Sequence, residues 1–405
     1  MHELRIVGQP LTLSVRHPFE RRAAAFGFSA ALVSSVGQSF FIGLFGAFVT
    51  ADLGLEKSQW GALYGLATLA SGLLMFRLGS LADGLPMKQA ITIALSVLGV
   101  GAIAMAVAGG PLVLLAGLFC LRLGGQGLAG HMAIVAAARH ARHRGRSIAT
   151  AVFGFILGEA LLPLAVVALL GWLDWRWIWG CASLLVLGVA LPALRVAAAP
   201  LPKATVLMET EGAPPLRRRH LLVKPAFVAA LSVVLVSPFV VTAIFLHQGT
   251  LSELRGWVPA QIAWGFFGFA TAQTASTWLT GRWIDRHGAQ GVFRFYLLPV
   301  AVAVLMFAFG PSQWALWTLF MGLGVTAGAN SVVSGALWAE VFGIDSLGMV
   351  RGIYTGFMVI ATAASPLLFG LALEKGVSMS LLAAGVCTYV VVVPWLAARW
   401  LPGES

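Results

Sequence analysis

Twelve stretches of this chain stay apolar for about 20 residues or more, long enough for each to cross the hydrocarbon core of a bilayer as one helix. They fall at roughly 23–50, 59–82, 89–108, 112–137, 147–170, 176–196, 223–248, 259–283, 291–310, 312–338, 350–373 and 378–400. Lipid offers no partner to an unpaired backbone N–H or C=O, and the runs are too long for barrel strands. Each is therefore predicted to be helical. Only 10% of the residues are charged, against about 25% in a soluble domain. The fold class that follows is an all-α integral membrane protein with twelve transmembrane helices.

The net charge of +11 would suit a nucleic-acid binder, but its distribution points to the membrane instead. With the N-terminus placed inside, 21 of the 26 Lys and Arg residues fall on inner segments. Four (Lys57, Arg176, Arg255, Lys375) fall on outer ones, and Arg122 lies within a run. That imbalance sets the orientation: both termini are expected in the cytoplasm, and no nucleic acid is expected as partner. The tail 1–22 is basic and lacks the apolar core of a signal peptide, so no cleavage is expected. The membrane that fits the composition is the inner membrane of a bacterium.

The longest link, 197–222, holds four prolines and Arg217-Arg218-Arg219. It is predicted to be an inner linker between six-span halves at 23–196 and 223–401. Sequence pairs recur across it. Gly79-x-x-x-Asp83 closes span 2 and Gly281-x-x-x-Asp285 closes span 8, 202 residues later. Arg146 opens span 5 and Arg351 opens span 11, 205 residues later. Leu128-Ala-Gly-His131 in span 4 matches Thr326-Ala-Gly-Ala329 in span 10, and three matches at nearly one offset, half the chain length, predict a duplicated six-span unit.

These residues carry a resemblance. Gly79-x-x-x-Asp83 and Gly281-x-x-x-Asp285-Arg286-x-Gly288 resemble the signature that follows spans 2 and 8 in the major facilitator superfamily. Arg122-x-x-x-Gln126-Gly127 is similar to that family's span-4 arginine motif, with one residue more than its commonest spacing. The first signature departs from the pattern, since Gly84-Leu85-Pro86-Met87-Lys88 stands where most of its basic residues would be. The likeness covers nearly the whole chain. It implies two pseudo-symmetric six-helix bundles rocking about a central substrate site, in a protein expected to be a monomer. Gly79, Asp83, Gly281, Asp285, Arg286, Arg146 and Arg351 would then control the inner gate. The span-4 and span-5 pattern, with Phe245-Leu246-His247-Gln248 closing span 7, resembles bacterial monocarboxylate and oxalate–formate carriers. Drug–proton antiporters often carry Gly-Pro where Gly158-Glu159 stands here.

A charge at bilayer depth costs about 3 kcal/mol or more, so it usually faces a cavity and has a task. Two such charges stand out. Arg122 lies about 15 residues from the inner end of span 4 and Glu159 about 12 from that of span 5, which at about 1.5 Å per residue gives similar depths. An ion pair between them is predicted. A carboxylate paired with a guanidinium titrates low and one alone in an apolar cavity titrates high, so an anion competing for Arg122 would free Glu159 to take a proton. A static pair that fixes helix packing is the competing expectation. Gln126 lies one turn from Arg122 on the same face, and His131, a second candidate for the proton, falls about 180° away on an α-helical wheel. Ser35 and Gln38 in span 1, Gln273 in span 8 and Asn330 in span 10 are polar at mid-depth, where they serve either a substrate or contacts between helices. His247 and Gln248 suit a gate or an interfacial contact equally.

No phosphate-binding loop and no metal-ligand spacing is present in the sequence, so no enzyme, no cofactor and no direct ATP drive are expected. The reading that results is a secondary transporter of a small organic solute, expected to be an anion, coupled to protons by alternating access. A proton-coupled exporter of amphiphilic cations is the alternative, and a non-transporting receptor or scaffold a third.

Overall fold

The computed structural model describes residues 18–78, 85–139, 144–201, 221–343 and 347–402. The tail before residue 18, the segment 79–84 with Gly79 and Asp83, the loop 140–143, most of the linker and the side chain of Arg146 lie outside the described residues. Everything else is helix and short turns, with no strand among the described residues.

Nine helices among the described residues are long and apolar enough to cross a membrane. A tenth candidate is the bent pair Pro259–Phe293 and Leu298–Phe309. Gly288 breaks the first of these with φ 70° and ψ 165°, which separates span 8 from span 9. The 22-residue helix Lys57–Leu78 is span 2. With these, the chain provides the twelve helices expected. Several start where chemistry favours a start. Proline stands in the first turn of Pro111–Leu121, Pro225–Val234 and Pro259–Phe293, where its missing N–H costs nothing.

The duplication read from sequence recurs in backbone geometry. Gly54 and Gly256 are 202 residues apart, end the first and seventh spans, and share the left-handed conformation (φ 62°, ψ 34° and φ 66°, ψ 29°). Gln59 and Gln261, at the same offset, each accept a backbone N–H three residues back, from Glu56 at 3.0 Å and Val258 at 2.9 Å. Pro163 and Pro366 sit inside spans 5 and 11, 203 residues apart.

Two spans depart from regular helix where the bundles meet. Span 1 passes through a short 3₁₀ turn, Ser35–Gly37, into extended backbone at Gln38 (φ −88°, ψ 155°) before resuming at Ser39–Gly43. Span 4 widens into a π-helix over Arg122–Ala129. Such one-turn widenings absorb an extra residue and are frequent at functional sites.

Candidate functional site

The break in span 1 and the wide turn in span 4 face each other. Once Gln38 leaves the helix, the carbonyl of Gly37 has no partner in its own span. Arg122 supplies one: Nη1 donates to Gly37 O at 3.2 Å, and Nε donates to Thr68 Oγ1 of span 2 at 3.1 Å. The guanidinium also lies 5.0 Å from the centre of the Tyr64 ring. Arg122 is thereby buried, with 2% of its surface exposed. Its charge is met by dipoles, a hydroxyl and a π face rather than by a carboxylate. The approach of the two spans depends on glycine at both sides, since a Cβ on Gly125 would lie 2.7 Å from Gly37 Cα.

Arg122 forms one wall of a cavity of about 450 Å³ between the bundles. Span 4 contributes Arg122, Gln126, Gly127 and His131. Span 2 contributes Thr68, Ser71, Gly72 and Met75, and span 11 a face from Gly352 to Thr362. Among the described residues, the lining holds four hydroxyls, one guanidinium and no carboxylate. Gln126 is exposed into this space, as its spacing from Arg122 predicts. His131 lines it as well, which corrects the half-turn separation from Arg122 expected of an α-helix. A π turn advances less than 100° per residue, so eight residues of it bring the imidazole round to the cavity side.

The predicted Arg122–Glu159 ion pair does not form. Glu159 has no salt bridge, and its buried Oε2 has no hydrogen-bond partner. It does not line the cavity beside Arg122. The two residues share a depth but not a direction: Arg122 points toward spans 1 and 2, while span 5 packs its Gly154 and Gly158 against Phe28, Ala31 and Ser35 of span 1. Span 5 also runs along span 8, so Glu159 belongs to a helix that meets the other bundle.

The remaining candidates separate. Ser35 is fully buried against Gly158 and its hydroxyl donates to Ala31 O of its own helix at 3.3 Å. Gln38 is half-buried at the break. Gln273 is half-buried, and its Oε1 is enclosed without a partner. Asn330 sits inside the second bundle, where its Oδ1 accepts from Tyr296 Oη at 3.0 Å. Of the inner-gate set, Gly281 has open space around it, and Asp285, Arg286 and Arg351 are exposed. Asp285 makes no hydrogen bond or ion pair in this conformation. Glu340 caps the helix turn after Gly288 instead, accepting from Ala289 N at 2.7 Å and Gln290 N at 3.3 Å.

Contacts between the bundles concentrate at the end expected to face outward. Trp60 Nε1 donates to Leu246 O (3.3 Å), Gln248 Nε2 to Phe40 O (3.1 Å) and Ser58 N to Glu374 Oε1 (2.6 Å), while His247 Nε2 donates to Pro366 O (2.8 Å) within the second bundle and ties span 7 to span 11 beside them. Phe40, Phe245 and Phe266 pack below them, with ring centres 5.8 and 4.8 Å apart. Gly61, Gly65 and Gly72 of span 2 lie against Pro366, Ala363 and Val359 of span 11. The glycine spacing that allows this is visible in the sequence. Gly61 and Gly65 meet backbone carbonyls, which no side-chain pattern reveals, whereas Gly72 meets the side chain of Val359. The cavity lies on the other side of this seal.

A cavity between two duplicated bundles, shut at one end by direct contact, is the arrangement of a secondary transporter. The comparisons agree. The sequence profile of the Major Facilitator Superfamily matches residues 27–252 and 240–405, and the chain belongs to that family. Among solved structures it is similar to a bacterial homologue of the human lysosomal transporter Spinster, with TM-score 0.69 and 13% identity, over 95% of this chain and 98% of that one. It is also similar to the nucleoside transporter NupG, with TM-score 0.68 and 12% identity, over 96% of this chain and 100% of that one. No curated protein matches the sequence.

Proposed function

We propose that this protein carries a small organic anion by proton-coupled alternating access, in the inner membrane of a bacterium with both termini cytoplasmic. The observation that carries the reading is Arg122: a buried cation on the wall of a cavity whose described lining includes no carboxylate. Two of its five N–H groups are engaged, which leaves donors for one anionic group of a solute. Gln126 and the hydroxyls of Thr68, Ser71 and Thr355 supply neutral contacts around it.

Glu159 is proposed as the proton carrier. Its enclosed, unpartnered oxygen lies on a span that packs against span 8 of the other bundle, so gain or loss of a proton there changes the cost of closing that seam. Because it does not pair with Arg122, coupling runs through bundle closure and not through direct competition for the arginine. The same orphan carboxylate supports a second reading, export of amphiphilic cations held by Glu159.

The test is internal pH in proteoliposomes while carboxylates, sugars, amino acids and cationic drugs are offered outside. Anion carriage predicts proton movement with a carboxylate, abolished in both Arg122→Gln and Glu159→Gln. Proton movement with a cationic drug that survives Arg122→Gln would establish the second reading. Labelled solute that equilibrates without any proton movement would reject coupling.

A further inference from the structure

A second cavity, of about 210 Å³, lies within the second bundle, away from the seam and from Arg122. Its lining comes from spans 7, 9, 10, 11 and 12 and from Leu251, and every lining residue among those described is apolar. Protein interiors are otherwise close-packed, and an apolar void of this size excludes water and accepts apolar guests. Leu368 on its wall is 53% exposed on the outer surface of span 11, which in a membrane is the lipid-facing surface. The space is therefore continuous with hydrocarbon.

Its outer end is not neutral. Leu251, in the lining, is followed one helical turn later on the same face by Arg255. The guanidinium lies 5.7 Å from the centre of the Phe307 ring, and that ring is itself a cavity wall. Nη2 donates to Gly310 O, while Nε is buried without any hydrogen-bond partner. A buried donor on a cation without an acceptor is costly, and an anionic oxygen is the partner that suits it best. Arg255 stands at the start of the loop before span 8, at the membrane surface, and the apolar space runs from there to Leu319, seven residues into span 10, or about 10 Å. A cation at the interface with an apolar slot leading toward the bilayer centre has the polarity and direction of one leaflet of lipid.

We infer that this cavity holds an acyl chain of an anionic phospholipid whose headgroup is anchored by Arg255. The charge of Arg255 selects the headgroup, and the slot selects a flexible alkyl chain over a rigid ring system. This inference stands apart from the transported solute, because no residue of this cavity lines the one beside Arg122.

The experiment is native mass spectrometry of the purified protein after incubation with equal amounts of phosphatidylglycerol and phosphatidylcholine. The wild type should retain one phosphatidylglycerol per chain, with at least tenfold preference. Ala383→Phe, which places a ring in the slot, should lose the bound lipid, and Ala243→Leu should weaken it in the same direction if the larger change impairs folding. Arg255→Gln should keep a lipid but lose the preference for the anionic one. Equal retention of the two lipids by wild type, or an unchanged preference in all three variants, would overturn the inference. Displacement of phosphatidylglycerol by palmitate at equal concentration would assign the slot to a free fatty acid and also refute it.

Discussion

Glu374 Oε1 accepts the backbone N–H of Ser58 at 2.6 Å, so a carboxylate at the end of span 11 caps the first turn of span 2 across the bundle boundary. A negative charge at a helix N-terminus stabilises by up to about 1 kcal/mol, and here that energy favours one conformation of the transporter over the other. Glu374→Gln should therefore shift the closed end toward opening by about fivefold, since about 1 kcal/mol corresponds to that factor. Labelling of Ala47→Cys by a membrane-impermeant maleimide reports it. Equal labelling rates with and without Glu374→Gln would remove this latch from the mechanism.

The glycines of span 2 make a steric prediction. A Cβ on Gly61 would lie 2.5 Å from Pro366 O, which is backbone and cannot step aside. Gly61→Val should block closure of this end and reduce transport at least tenfold at normal protein levels, while maleimide access at Ala47→Cys rises. If transport persists at the wild-type rate, the contact is not required in the cycle.

Thr68 tests how Arg122 is held. Removing the acceptor of a hydrogen bond from a charged donor costs about 1.5–3 kcal/mol. Thr68→Val keeps the shape and deletes the hydroxyl, so solute affinity should fall by about tenfold or more. Thr68→Ser should restore most of it. A Val variant with unchanged affinity would mean that Gly37 alone positions the arginine.

Stability separates two glycines that look alike in sequence. Gly125→Ala forces spans 1 and 4 apart and should destabilise by about 1–3 kcal/mol, seen as a lower melting temperature in detergent. Gly281→Ala meets nothing within 4 Å and should leave the melting temperature unchanged or slightly raised. A similar loss in both would contradict the close packing described at Gly37.

Hydropathy carried the architecture. Every run reappears as a helix because the bilayer admits little else, and the offset of 202 residues returns as matched glycine turns and glutamine caps. Depth was equally legible, since residue count along a span is distance across the membrane. Direction around the helix was not. His131 was expected to face away from Arg122 because a wheel drawn at 100° per residue assumes a regular helix. Glu159 was expected to meet Arg122 because depth and adjacency say nothing of azimuth. Arg122 instead found a carbonyl exposed by the break at Gln38, and a break that exposes a carbonyl carries no hydrophobic signature. The closed end was half visible: His247 and Gln248 stand out as polar residues at a span end, whereas their partners, Pro366 O in the same bundle and Phe40 O across the seam, are main-chain atoms.

The wide turn at Arg122–Ala129 also governs how this chain can be compared with its relatives. An extra residue absorbed in a π-helix rotates everything on one side of it relative to the other. A relative with one residue fewer there has no single gapless alignment that keeps both Arg122 and His131 in their spatial positions. Shortening the turn by one glycine would leave the composition and the hydropathy of span 4 almost untouched. It would nevertheless turn the arginine away from Gly37, so which side chains form this wall of the cavity is written in a count of residues rather than in their kinds.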